Sequence, residues 1–259
     1  MDTRDLDVRT TNLATLLLRS AKGLRREGIL ASYAAAWPGE EGPTDFAMGG
    51  GVATFEVGAA SVRIEATATP MPEEELEVFG RVSWMWPEAW SALRGHTGQA
   101  VVAVRSGSMS AVERSTLLTK VMIALIRAGD AAGVFWQWAG AIHEPGEFET
   151  MMRRTSEQGL LPVPLWVNVT MSAEGMLKRM FASTRGLEAL GLMELEVHGS
   201  KLKPEALREI MYDMAAYVIE RGPVLKHGDT FGRADGGKTR IEHCGSRFSK
   251  GRRVVRLHA

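Results

Sequence analysis

Val52-Ala53-Thr54-Phe55-Glu56-Val57 is followed by Gly58-Ala59-Ala60-Ser61 and then by Val62-Arg63-Ile64-Glu65-Ala66-Thr67. Both outer runs alternate or carry β-branched residues, the period-two pattern of a half-buried strand, and the glycine-led tetrapeptide between them predicts a hairpin turn. Pro70-Met71-Pro72 stops the second strand, and Glu73-Glu74-Glu75 supplies the acidic first turn of a helix. The chain closes on a similar pattern: 239–244 and 253–257 read as strands separated by 245–251.

Between the two ends, strands and helices alternate. The pattern predicts strands over 99–105, 133–139, 164–170 and 193–197 and helices over 111–128, 147–157 and 204–221, with a short helix within 174–183. The last long helix opens on Pro204-Glu205 and closes on Gly222-Pro223. Hairpins at both ends argue against a doubly wound parallel sheet, where a crossover helix would follow nearly every strand. The expected class is therefore α+β, with a mixed, largely antiparallel sheet or sheets and helices packed on one face; two ferredoxin-like halves are compatible with it.

Upstream, Leu13, Leu16, Leu17 and Leu24 fall at roughly helical spacing, with Arg19, Lys22, Arg25 and Arg26 toward the end where a helix dipole favours cations. Residues 28–51 contain Trp37-Pro38-Gly39, Gly42-Pro43 and Gly49-Gly50-Gly51, which punctuate a loop. Residues 1–48 thus read as an N-terminal helix and lead-in loop, and 49–259 as a single α+β domain.

Composition bounds the function classes. The 259 residues are 45% hydrophobic and 24% charged, which excludes a disordered chain, and 31 basic residues balance 31 acidic ones. No net field draws the chain to nucleic acid or anionic lipid. A single cysteine, Cys244, excludes an internal disulfide framework. Asp2, Asp5 and Asp7 stand where a signal peptide would be basic, and Leu16-Leu17-Leu18 is too short to span a bilayer, so a cytoplasmic protein without membrane contact is expected.

No catalytic constellation is coherent. Gly232-Arg233-Ala234-Asp235-Gly236-Gly237-Lys238-Thr239 spells a phosphate-binding loop, but that loop needs a helix after it. Residues 239–244 look like a strand, so a glycine-rich hairpin turn is expected instead. The six histidines include no paired metal-binding spacing, and neither metal nor cofactor is expected. His243 and Cys244 are strand neighbours pointing to opposite faces, and so form no local dyad. Glu194 and Glu196 share a strand face by the period of two; with His96 and the His227–Asp229 turn they make a candidate polar site. Trp84, Trp86 and Trp90 are candidate partner-binding residues, since tryptophan is enriched at binding hot spots, although core burial accounts for them too. From Lys238 onward seven basic residues face one acid, Glu242, and Arg247, Arg252 and Arg253 are further partner-binding candidates; edge-strand protection is the alternative.

Several segments, in order, resemble one bacterial family: Gly49-Gly50-Gly51-Val52-Ala53-Thr54-Phe55, Pro70-Met71-Pro72, Leu93-Arg94-Gly95-His96, Leu161-Pro162-Val163-Pro164-Leu165-Trp166-Val167, Thr184-Arg185-Gly186-Leu187, Leu190-Gly191-Leu192-Met193-Glu194-Leu195-Glu196-Val197 and His227-Gly228-Asp229-Thr230-Phe231-Gly232. The chain from about Gly49 onward is similar to the "domain of unknown function 4261" family. The resemblance carries no catalytic residues. Relatives often have a second histidine after the His96 position, where Thr97-Gly98-Gln99 stands here. It implies an immunity or accessory role beside contact-dependent toxin and type VI secretion genes. The expected function is a non-enzymatic immunity protein that binds a cognate toxin or effector. The alternatives are a hydrolase-type enzyme with a site near the His227–Asp229 turn, and a secretion adaptor or chaperone for an effector.

Overall fold

The computed structural model describes residues 7, 9–20, 24–176, 178–232 and 236–258. They fall into two compact units, Met1–Leu165 and Trp166–Ala259, each built on its own sheet. The boundary lies inside the stretch 49–259 that the sequence patterns join into one domain.

Unit 1 is organised around β1 (Thr11–Leu18), every residue of which is buried. The segment read above as a helix is therefore a strand, and a central one. α1 (Arg26–Ala36), β2 (Thr44–Gly49), β3 (Val52–Val57) and β4 (Ala60–Thr67) follow, so the expected lead-in loop holds a helix and a strand. Then come α2 (Glu73–Val82), α3 (Ala89–Leu93), β5 (Gly98–Arg105), α4 (Ala111–Ala128), β6 (Ala131–Trp136), β7 (Ala141–His143) and α5 (Pro145–Glu157). The seven strands lie in the order β2-β3-β4-β5-β1-β6-β7, all antiparallel. The β3–β4 hairpin forms as its alternation predicts, with Val57 opposite Ala60.

β1 is apolar on both sides because helices cover both. Leu17 joins Phe135, Ile142, Leu76 and Leu93 in a cluster under α2 and α3, with Phe79, Trp86 and Trp90 packed against it. On the opposite face Asn12 donates to Ser115 Oγ of α4 at 2.7 Å and accepts from buried Arg114 Nε at 3.0 Å. The other nitrogens of Arg114 donate to the carbonyls of Met109 and Arg9. Burial lowers its pKa, and the carbonyls supply the hydrogen bonds a buried guanidinium requires. α4 starts on a capping box: Ser110 Oγ accepts from Glu113 N–H at 3.2 Å, and the Glu113 carboxylate accepts from Ser110 N–H at 2.7 Å.

Unit 2 opens within the short helix α6 (Val163–Trp166), which takes up part of the strand expected over 164–170. It continues with β8 (Asn168–Glu174), β9 (Arg179–Arg185), β10 (Leu195–Ser200), α7 (Pro204–Arg221), β11 (Thr230–Gly232), β12 (Lys238–Gly245) and β13 (Arg253–His258). Where a short helix was expected within 174–183, β8 and β9 pair as a hairpin. The sheet order is β11-β12-β13-β10-β9-β8, antiparallel except for β10 beside β13. The class is α+β with mostly antiparallel sheets, as expected. Among the described residues no helix is long and apolar enough to cross a membrane.

His143 ends β7 within unit 1, its ring 5.7 Å from that of Phe148. Neither ring nitrogen makes a hydrogen bond of ordinary geometry, and burial pushes its pKa down to about 4, opposed by the nearby Leu165 backbone. The unfolded chain protonates this ring near pH 6.5, so between about pH 6.5 and 4 the unfolded state binds more protons and stability falls as pH drops. Urea unfolding is expected to show a loss of roughly 2 kcal/mol from His143 between pH 7 and pH 5. His143→Leu should remove that increment; an unchanged pH dependence in the variant would refute the assignment.

Candidate functional site

α7 begins with Pro204 at its first turn, where the missing N–H costs nothing, and ends at Gly222, whose N–H donates to Val218 O at 2.9 Å. Leu207, Met211, Met214, Ala215, Val218 and Ile219 form its buried stripe, packed on β8 and β9. A second stripe, Ala206, Ile210 and Tyr217, turns away from that stripe. It lines a groove of about 980 Å³ whose other walls are Val224, Leu225, Phe231 and Ile241. Tyr217 is 46% exposed and Val224 39%, large apolar surface left open in a concave setting.

Three carboxylates line the same groove: Glu209, Asp213 and Asp229. Its described lining holds no Lys, Arg or His. Glu209 and Asp213 are one helical turn apart, where like charges repel. Burial first, and the Glu209 charge second, raise the pKa of Asp213.

Asp229 also builds its own turn. Its Oδ2 accepts from Lys226 N–H at 2.9 Å, Gly228 N–H donates to Ile241 O at 2.9 Å, and Ile241 N–H donates to Asp229 O at 2.8 Å. His227 Nδ1 accepts from His243 N–H at 3.2 Å, and His243 Nε2 donates to Leu225 O at 2.7 Å. Of the candidate polar and partner-binding residues read from sequence, Asp229 alone is in the described lining of the groove.

The others are committed elsewhere. The Glu194 carboxylate accepts from Thr184 Oγ1 at 2.6 Å, Gly186 N–H at 2.8 Å and Glu188 N–H at 3.1 Å. Thr184 Oγ1 accepts in turn from Leu195 N–H at 2.7 Å. Burial raises the pKa of Glu194, and these hydrogen bonds pull it back. Gly186 has φ +125°, and a Cβ there would lie 2.2 Å from Trp166 O, so the turn tolerates only glycine. Glu196, 2% exposed, accepts from Ser246 Oγ, from Arg247 N–H at 3.1 Å and from His198 Nε2 at 2.7 Å. Ser246 Oγ accepts from Ser249 N–H at 2.8 Å, which fixes the turn between β12 and β13. The two glutamates thus clip two different turns, each through its own set of donors.

His96 belongs to unit 1. Its Nε2 accepts from Met71 N–H at 2.9 Å and its Nδ1 donates to Leu93 O at 2.7 Å, tying the Pro-Met-Pro segment to the end of α3. Trp84, Trp86 and Trp90 are half-buried. Trp86 and Trp90 pack against the α2–α3 cluster, and the Arg94 guanidinium lies 5.5 Å from the Trp90 ring. Trp136 ends β6 and Trp138 lies in the turn after it, so the strand expected over 133–139 stops three residues early. In unit 2, Arg247 bonds Glu174 at 2.5 Å and lies 4.2 Å from the Phe181 ring. Arg252 pairs with Glu188, and Arg253 is exposed at the start of β13.

Gly232 and Lys238 close the β11–β12 hairpin, as expected for the glycine-rich stretch; Arg233, Ala234 and Asp235 lie outside the described residues. Burial raises the pKa of the Cys244 thiol, which disfavours the nucleophilic thiolate. Among the described residues no group of three or more His, Cys, Asp or Glu side chains is gathered to hold a metal ion.

Sequence patterns located α7 to the residue but gave no notice of the groove. The available signal was the width of its apolar surface: Ala206, Ile210 and Tyr217 extend it beyond the single stripe one sheet can cover.

The family model described as "Domain of unknown function (DUF4261)" matches residues 183–258. That segment contains both glutamate clips, α7 and every groove-lining residue. No curated protein and no solved structure matches the chain.

Removing the Glu194 carboxylate would strand the donors of Thr184, Gly186 and Glu188. Glu194→Ala is expected to destabilise unit 2 by about 3 kcal/mol in urea unfolding. A loss below about 0.5 kcal/mol, the scale of an ordinary surface change, would show that the clip carries no weight.

Proposed function

We propose that the chain is a non-enzymatic binding protein, an immunity protein that neutralises a cognate bacterial toxin or effector by direct contact, with the groove beside α7 as the contact site. The observation that carries the groove assignment is its exposed apolar surface: Tyr217 and Val224 stand open beside Ile210 and Phe231 in one concavity. Water held against such a surface is released when a partner covers it, the largest favourable contribution to most protein association. The immunity assignment is supported by the family resemblance. A cytoplasmic location belongs to the same proposal, since the toxin would be met inside the cell.

The hydrogen bonds of the titratable candidates support the same reading. His96, Glu194, Glu196 and His227 each serve backbone donors or acceptors that hold turns in place. A hydrolase-type reading retains one observation in its favour: Asp229 lines the groove beside Glu209 and Asp213.

Ala206 is half-exposed on the groove wall, so Ala206→Trp should fill the groove and leave the buried stripe of α7 intact. Co-expression with the toxin encoded beside the gene is expected to restore growth and to yield a complex on pull-down. Ala206→Trp should weaken that complex at least about tenfold, or ~1.4 kcal/mol. Absence of both complex and rescue for the unaltered chain would remove the immunity reading. Neutralisation lost on Asp229→Asn with the complex intact would favour chemistry.

A further inference from the structure

We infer that the α7 groove takes a cationic amphipathic segment of a protein partner: apolar side chains seated on Ile210, Tyr217, Val224 and Phe231, with Lys or Arg side chains directed at Glu209 and Asp213. This inference rests on the groove being the docking site and adds the chemistry of what docks there.

Charge complementarity selects the occupant. The groove lining has three carboxylates and, among the described residues, no base. One oxygen of Asp229 is occupied by the Lys226 N–H, which leaves Glu209 and Asp213 as the unshared charges among the described residues. They are exposed on α7 one turn apart, and no ion pair of the described residues includes either one. Two like charges at this spacing destabilise a helix slightly, and the pKa of Asp213 is raised by burial first and by the Glu209 charge second. A lysine or arginine brought between them would relieve the repulsion and gain two charge-assisted hydrogen bonds. An anionic segment would meet the opposite: repulsion in a partly desolvated concavity, which costs more than in open water.

The apolar component favours a polypeptide over a simple ion. An inorganic or small organic cation would satisfy the carboxylates but leave Tyr217 and Val224 wet. A segment with apolar side chains on one face and cations along its border covers both, in the manner of a helix laid in a groove.

The test uses the full chain and two labelled peptides of about fourteen residues, four helical turns, with identical leucine patterns. One carries Lys and the other Glu at all polar positions, and fluorescence anisotropy reads binding. The Lys peptide is expected to bind at least about tenfold more tightly, with the preference shrinking as salt is raised. In the double variant Glu209→Gln, Asp213→Asn the preference should vanish. Both side chains are exposed, so the fold is expected to persist, and circular dichroism verifies it. Ala206→Trp should abolish binding of the Lys peptide. Equal binding of the two peptides, no binding of either, or a preference that survives in the double variant would overturn the inference. These outcomes separate from failure of the docking reading. Equal peptide binding abolished by Ala206→Trp leaves the groove a docking site with the wrong charge assigned. A toxin complex indifferent to Ala206→Trp removes the groove itself.

Discussion

A carboxylate taken out of water must find donors, and unit 2 is arranged around two that do. Glu194 gathers the N–H groups of Gly186 and Glu188 with the Thr184 hydroxyl, while Glu196 gathers Ser246, Arg247 and His198. The first clip fixes the turn between β9 and β10, and the second fixes the turn that returns β12 to β13. Because β10 lies between β9 and β13, the two clips hold the middle of the sheet in register from either side. Hydrogen bonds to charged acceptors are the stronger kind, and leaving their donors unpaired in a buried turn would cost more than the bonds themselves contribute. α7 rests on β8 and β9, so the groove on its far flank inherits its shape from this frame.

The same pattern recurs in unit 1 with different chemistry. His96 ties the Pro70-Met71-Pro72 segment to α3, and Arg114 ties the start of β1 to α4 through carbonyl groups. In each case a polar side chain that looks available for catalysis or ligand binding is consumed by backbone groups at an irregular point of the chain. Loops and turns have no ladder partners for their N–H and C=O groups, and side chains must replace them. This explains why the segments that carry the family resemblance, among them Thr184-Arg185-Gly186-Leu187 and the run through Glu194 and Glu196, coincide with turns and their anchors. Their residue types follow from the demands of the fold.

The groove is the place where the frame leaves something unfinished. A helix in a two-layer unit needs one apolar stripe; α7 has a second, with two adjacent carboxylates. Glu209 and Asp213 add nothing to the packing of α7 on the sheet, and their mutual repulsion works slightly against the helix. Features that oppose local stability and yet shape a concave surface are where an interaction with something else is to be sought.

Much of the architecture is legible in the sequence by itself. α4 and α7 occupy the predicted 111–128 and 204–221, because capping residues and proline or glycine signals mark their ends. The β3–β4 hairpin and the β12–β13 pair follow from period-two alternation, and with them the α+β class. Only the tertiary structure decided the rest. β1 reads as a helix because a strand covered by helices on both faces has no alternation to display, and its leucines fit either period. Glu194 and Glu196 look like a pair because strand period says which face a side chain leaves from, not which turn its oxygens reach. The groove was illegible for a related reason: it is made of residues from 202 to 241, and only packing reveals which apolar side chains a fold leaves uncovered.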